Sequence, residues 1–126
     1  MSKIYKILTD TEWKDANRLG YVKTDLDDKD GFIHCSTAKQ LALTLHLYFK
    51  EEKSVVLCEI DECDLNRSEY FFEKTLSNNR SEQEFPHIYG KLSIEQISKT
   101  WDLEKEAFQI PEDILLELEN EYDIPF

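Results

Sequence analysis

The run Ser54 to Ile60, SVVLCEI, limits the fold more than any other stretch of the chain. It is nearly continuous β-branched and apolar sequence, and a strand of that kind fits a central place with both faces covered. The chain around it has 126 residues, which suggests one domain able to bury about two-thirds of its unfolded surface. Hydrophobic residues make up 40% and charged residues 33%. That supplies a core and is too apolar for a disordered chain.

Other elements follow from periodicity and end signals. Lys3 to Leu8 alternates as a first strand, with Ile4, Lys6 and Leu8 opposite Tyr5 and Ile7. Thr9 or Asp10 then caps a helix with Glu12 in its first turn, Trp13 as its core anchor and Gly20 as its stop. Tyr21 to Asp30 reads as a polar loop. Its DLDDKDG run lacks the twelve-residue oxygen-ligand pattern of a calcium loop, so it is taken as a turn. Ser36 or Thr37 caps a second helix to about Lys50, whose apolar stripe is Ala38, Leu41, Ala42, Leu45, Tyr48 and Phe49, with His46 packed beside it. Tyr70 to Phe72, ending at Glu73, reads as a strand. Ser93 caps a one-turn helix, and Ser98 to Leu103 makes a last strand. Pro111 opens a C-terminal helix with Ile114, Leu115 and Leu118 on one stripe, expected to pack back on the domain.

Two short segments carry the chemistry. In Gly31 to Thr37, GFIHCST, strand alternation puts Ile33 and Cys35 on a core face and Phe32, His34 and Ser36 on the other. The helix that starts there leaves backbone N–H groups able to receive an anionic or carbonyl oxygen. In Phe85 to Gly90, FPHIYG, an extended chain groups Phe85, His87 and Tyr89, while Pro86 points to an edge or a strand start. Between them Glu73 stands at a strand end, either in solvent or in a cleft. The polar stretch Lys74 to Glu84 is the loop expected to border a site.

Charge narrows the partners. The formal net charge is −12, from 27 acidic and 15 basic residues. Such a field repels nucleic acid and anionic membranes, leaving a small molecule as the expected ligand. The start MSKIYKILTD lacks an apolar leader and no run is long enough for a membrane span, so the cytosol is the expected compartment. Cys35, Cys58 and Cys63 have no zinc-like spacing, and no disulfide is expected there.

GFIHCST followed about fifty residues later by FPHIYG, with the IYKI strand, Trp13, Gln40, LCEID and Glu73 between and around them, resembles the family catalogued as domain of unknown function 952. The likeness covers roughly residues 1–103, with 104–126 an acidic extension of the same single domain. The resemblance implies an α+β fold related to the ADP-ribosyltransferases, a mixed and split β-sheet with flanking helices around a nicotinamide-binding cleft. It further makes NAD or an ADP-ribose derivative the candidate substrate, with no cofactor assigned. By that analogy His34 contacts a ribose, Glu73 or Glu84 stabilises the cationic transition state, and Tyr89 supplies the aromatic surface. His87 completes the candidate catalytic set, and Phe32, Ser36, Thr37, Gln40 and Tyr89 form the candidate ligand-binding set.

Competing readings use the same residues. A non-catalytic metabolite-binding module accounts equally well for paired histidines and aromatic rings. A metal site from His34, His87 and Glu73 has no supporting spacing. Both histidines can also be structural, linking strand ends. All of these turn on whether the two imidazoles open onto one hollow.

Overall fold

The computed structural model describes residues 2–74 and 83–104. The loop expected from Lys74 to Glu84 and the C-terminal helix expected after Pro111 therefore lie largely or wholly outside the described residues. Among these described residues six strands form two three-stranded sheets. The first has the order β1 (Lys3–Thr9), β3 (Ser54–Asp61), β6 (Ile97–Glu104), and the second β2 (Ile33–His34), β5 (Glu84–Ile88), β4 (Tyr70–Lys74). The fold is α+β and split. It is not mixed: every strand pair among the described residues is antiparallel. The chain can pair its strands this way because none of the pairings needs a parallel crossover.

Strand β3 is central, as its apolar run requires. Val55 and Leu57 lie in one apolar cluster with Tyr5, Ile7, Leu41, Leu45 and Leu103. Val56, Cys58 and Ile60 lie in another with Ile4, Leu8, Ala16, Ile33, Cys35 and Ile88. The second cluster joins the first sheet, helix α1 (Asp10–Leu19) and the inner face of the second sheet. Helix α1 starts on a capping box: Thr9 Oγ1 accepts from the Glu12 N–H at 3.1 Å, and Glu12 Oε1 accepts from the Thr9 N–H at 2.9 Å. It ends at Gly20 in the left-handed region, where glycine meets no Cβ clash.

The stretch read as a plain turn is a helix, α2 (Asp25–Asp30). Thr24 caps its start, Gly31 (φ 83°) ends it, and three acids in its first turn suit the helix dipole. Helix α3 is shorter than its sequence stripe: a 3-10 turn, Ala38–Gln40, precedes Leu41–Tyr48. Leu41 and Leu45 are buried, but Ala42, His46 and Tyr48 are exposed, so His46 is not packed on the stripe.

Pro86 also departs from expectation, since β5 is the middle strand of its sheet. Its carbonyl accepts from the Cys35 N–H at 3.0 Å on the β2 side. A residue's N–H and C=O point to the same flank of a strand, so the missing donor falls where two-residue β2 has already ended. The Pro86–Cys35 pair therefore keeps one backbone hydrogen bond in place of two.

Candidate functional site

The register of the second sheet assembles the site. His34 pairs directly with His87, and His87 with Phe71, while Glu73 pairs with Phe85. Directly opposed residues share a face, so both histidines, Phe71, Glu73 and Phe85 stand on one side. Ile33 and Ile88 turn to the core. The His34 and His87 ring centroids are 5.7 Å apart, with Phe32 stacked on His87 at 4.0 Å and tilted against His34 at 4.5 Å. Tyr89 lies 5.3 Å from Phe32, and Phe71 lies 5.9 Å from Tyr89. Both histidines line one cavity of about 410 Å³, a size that suits a small metabolite.

A backbone bridge joins the two sheets beside this cavity. The N–H of Tyr5 donates to the Ser36 carbonyl and the N–H of Ser36 to the Tyr5 carbonyl, both at 2.8 Å. Lys6, next to the bridge, should be an outward polar residue by its type, yet it is buried on the apolar face of β1. Asp27 of α2 is the reason. Lys6 Nζ donates to Asp27 Oδ1 at 3.0 Å and to the His34 carbonyl at 2.8 Å, and sits 2.8 Å from Asp27 Oδ2. Asp27 Oδ1 also accepts from the His34 N–H at 3.0 Å and contacts His34 Nδ1 at 2.7 Å. Oδ2 has the lysine charge beside it but no hydrogen bond directed at it, the one buried side-chain oxygen or nitrogen in that state among the described residues.

Burial raises the pKa of the Asp27 carboxyl, but the His34 hydrogen bond and the Lys6 charge outweigh that effect and hold it at about 2. The other ring nitrogen of His34, Nε2, lies 2.8 Å from Asp30 Oδ2. With a carboxylate on each nitrogen, both contacts are hydrogen bonds only when both nitrogens carry protons.

His87 is built differently. Its Nδ1 lies 2.8 Å from Glu73 Oε1, which also accepts the Tyr89 hydroxyl at 2.5 Å. Its Nε2 has no hydrogen-bond partner among the described residues. Burial lowers the His87 pKa, against the opposing pull of Glu73, so the neutral ring is favoured. A neutral ring whose Nδ1–H faces a carboxylate keeps its lone pair on Nε2.

The other expected site residues divide. Ser36 lines the cavity, with its Oγ 3.4 Å from Thr44 Oγ1. Thr37 and Gln40 do not line it. Gln40 Oε1 accepts from the Thr37 N–H at 3.0 Å, and its Nε2 donates to the Glu84 carbonyl at 2.8 Å, so it braces α3 against β5. Glu84 itself is exposed at the β5 start and outside the lining. Phe32, Glu73 and Tyr89 stand behind the two imidazoles rather than in the cavity wall. The carboxylates that do line it are Glu12, Asp27, Asp30 and Glu52. Asp27 and Asp30 were hidden in a run read as a turn; the signal was Thr24 and Gly31 bracketing it as caps. Among the described residues, no group of three His, Cys, Asp or Glu is disposed to hold a metal ion.

The family described as Protein of unknown function (DUF952) matches residues 7–100. The chain belongs to the DUF952 family. GFIHCST and FPHIYG, which bring the two histidines into this family segment, are thus both inside the matched region. The crystal structure of protein CC0527 from Caulobacter crescentus is 27% identical, with a TM-score of 0.76 over 98% of this chain and 100% of that one. The solution NMR structure of CC0527 is 30% identical, with a TM-score of 0.70 over 89% of this chain and 93% of that one. No curated protein matches. The fold is therefore shared with CC0527, and no helix among the described residues is long and apolar enough to cross a membrane.

Proposed function

We propose that the cavity binds the ribosyl end of a NAD-type molecule and that His87 handles a proton there. The observation that carries this reading is the pair of cross-strand histidines lining one hollow of about 410 Å³, His34 held by Asp27 and Asp30 and His87 by Glu73. The kinship with ADP-ribosyltransferases comes from the sequence resemblance and supplies the ligand class. The charge of the wall then narrows it. Among the described residues Lys6 is the one Lys or Arg in the lining, and Asp27 already neutralises it, while Glu12, Asp30 and Glu52 add negative charge. A diphosphate finds no unspent cation among these described residues. A neutral ribose or a cationic pyridinium does not need one.

Chemistry follows from the two imidazoles. In cleavage of the C–N bond between ribose and nicotinamide, an acceptor hydroxyl or water attacks the anomeric carbon. The C–N electron pair leaves with nicotinamide, and Nε2 of neutral His87 accepts the proton of the attacking group. Positive charge that builds on the ribose is favoured by the nearby Asp27 and Asp30 carboxylates.

A thermal-shift series with nicotinamide riboside, NAD and ADP-ribose tests the reading. Nicotinamide riboside is expected to raise Tm, and the shift is expected to vanish in a still-folded His87→Ala variant. A shift from ADP-ribose alone would reject the assignment of the ribosyl end. Release of free nicotinamide marks an enzyme. Binding without release favours the second reading, a metabolite-binding module that uses the same wall.

A further inference from the structure

The cavity has two unlike ends. At the imidazole end the charges compensate one another: Lys6 lies against Asp27, and the His34 ring contacts both Asp27 and Asp30. Strand β1 leads away from that end, because Tyr5 is bridged to Ser36 while both Tyr5 and Thr9 line the wall. At about 3.3 Å per residue, Thr9 is roughly 13 Å further along. Around Thr9 the wall holds Glu12 and Glu52 with the aromatic residues Tyr48 and Phe49. Glu12 Oε1 accepts from the Thr9 N–H at 2.9 Å, and the Glu52 N–H donates to the Phe49 carbonyl at 3.0 Å. Both glutamates are half-buried, and among the described residues no Lys or Arg besides Lys6 lines the cavity. Lys53 belongs to an adjoining hollow, where Asp10 and Glu51 accompany it.

Two buried polar side chains point to a ligand in this cavity independently of its acids. The His87 side chain is 5% exposed, and its Nε2 has no hydrogen-bond partner among the described residues. Ser36 is also 5% exposed, and its Oγ lies 3.4 Å from Thr44 Oγ1, longer than an ordinary hydroxyl hydrogen bond. A molecule bound between the two ends completes such groups. The Thr9 end then narrows what that molecule carries. Half-buried carboxylates are screened less than exposed ones, so they favour positive charge more strongly. Aromatic faces add attraction for an organic cation and none for an anion. A metal ion fits less well, since a hard cation takes about six or more oxygen ligands and no group of three His, Cys, Asp or Glu among the described residues could hold one.

We propose that the Thr9 end of the cavity is a subsite for an organic monocation, held by Glu12 and Glu52 beside Tyr48 and Phe49. The inference rests on the cavity of the proposed function and deepens it: the cation is the pyridinium of the ribosyl ligand or an ammonium group on the acceptor. NMR titration of the full chain with two matched pairs tests it. The first pair is ring-N-methylated nicotinamide against neutral nicotinamide. The second is choline against the neutral alcohol that has carbon in place of its nitrogen. In at least one pair the cation is expected to bind at least about tenfold more tightly than its neutral partner, and the pair that responds identifies the source. That preference should fall to near parity in Glu12→Gln/Glu52→Gln, where an amide oxygen can still accept from the Thr9 N–H. If that variant does not fold, the wild type decides, with amide shifts induced by the cation expected to centre on Thr9, Phe49 and Glu52. No preference in either pair, a preference unchanged in the variant, or shifts centred elsewhere would each overturn the proposal. None of these probes carries a ribose, so a failed nicotinamide riboside series beside a positive result here rejects the ribosyl reading alone.

Discussion

His34 and His87 are cross-strand neighbours with opposite surroundings. His34 is held at both ring nitrogens, by Asp27 and Asp30, and its backbone serves Asp27 and Lys6 as well. His87 is held at one nitrogen by Glu73, and among the described residues nothing bonds the other. The first ring is a fixed part of an ionic cluster that ties β1 to α2 and β2. The second is oriented but unspent, the state that suits proton transfer. Mutations should therefore act on stability at the His34 side and on chemistry at the His87 side.

The largest effect is expected at Asp27. Asp27→Ala leaves Lys6 as a buried charge without its partner and removes the acceptor for the His34 N–H and Nδ1. A loss of about 3–5 kcal/mol is expected in denaturant unfolding. The double variant Lys6→Met/Asp27→Leu should recover part of that, because no orphan charge remains. If Asp27→Ala unfolds at the wild-type midpoint, the ionic cluster does not hold the sheets together. Acid gives the same contrast. The Asp27 pKa falls from 3.8 to about 2 on folding, so its contribution is complete above about pH 4 and is lost as pH falls through 2. That window is worth about 2 kcal/mol.

Next comes His34→Ala, which removes contacts to both Asp27 and Asp30 but leaves the Lys6–Asp27 pair intact. A loss of about 1–3 kcal/mol is expected from hydrogen bonds to charged groups. It should be smaller than that of Asp27→Ala in the same experiment. The reverse ranking would make the imidazole, not the carboxylate, the centre of the cluster.

How far the sequence alone reaches follows the same division. The His87 side was legible because period-two alternation in FPHIYG and GFIHCST decides which side chains share a face, and antiparallel register then brings them opposite one another. The central place of SVVLCEI and the Thr9 and Gly20 caps were legible for equally local reasons. The His34 side was not. Asp27 lies in DLDDKD, which has no apolar periodicity to announce a helix, and its burial depends on Lys6, 21 residues earlier. Long-range ion pairs leave no spacing signal. Likewise α3 has apolar residues on more than one face, so its stripe did not reveal which of them the core takes.

The His87 side offers a test by titration rather than by unfolding. The folded-state pKa of His87 lies below its usual 6.5, so the neutral ring favours the native state. The stability this adds is present above pH 6.5 and declines as pH falls below it, until the folded ring is itself protonated. Proton NMR of the His87 ring should follow that lower midpoint.

The smallest expected effect, and the sharpest separation of the two sides, comes from Glu73→Gln. Glu73 is 40% exposed, and loss of an exposed pair changes stability by less than about 1 kcal/mol. Its carboxylate, however, raises the His87 pKa against the larger effect of burial. Removing that charge should lower the His87 midpoint further while leaving the Asp27 cluster and the midpoint of unfolding nearly unchanged. The Tyr89 hydroxyl, whose pKa Glu73 holds above its usual value, should ionise more easily in the same variant. A His87 midpoint that rises in Glu73→Gln, or does not move, would mean that the carboxylate fails to set the charge state of the ring. The contrast between a spent and an open imidazole would then rest on burial alone.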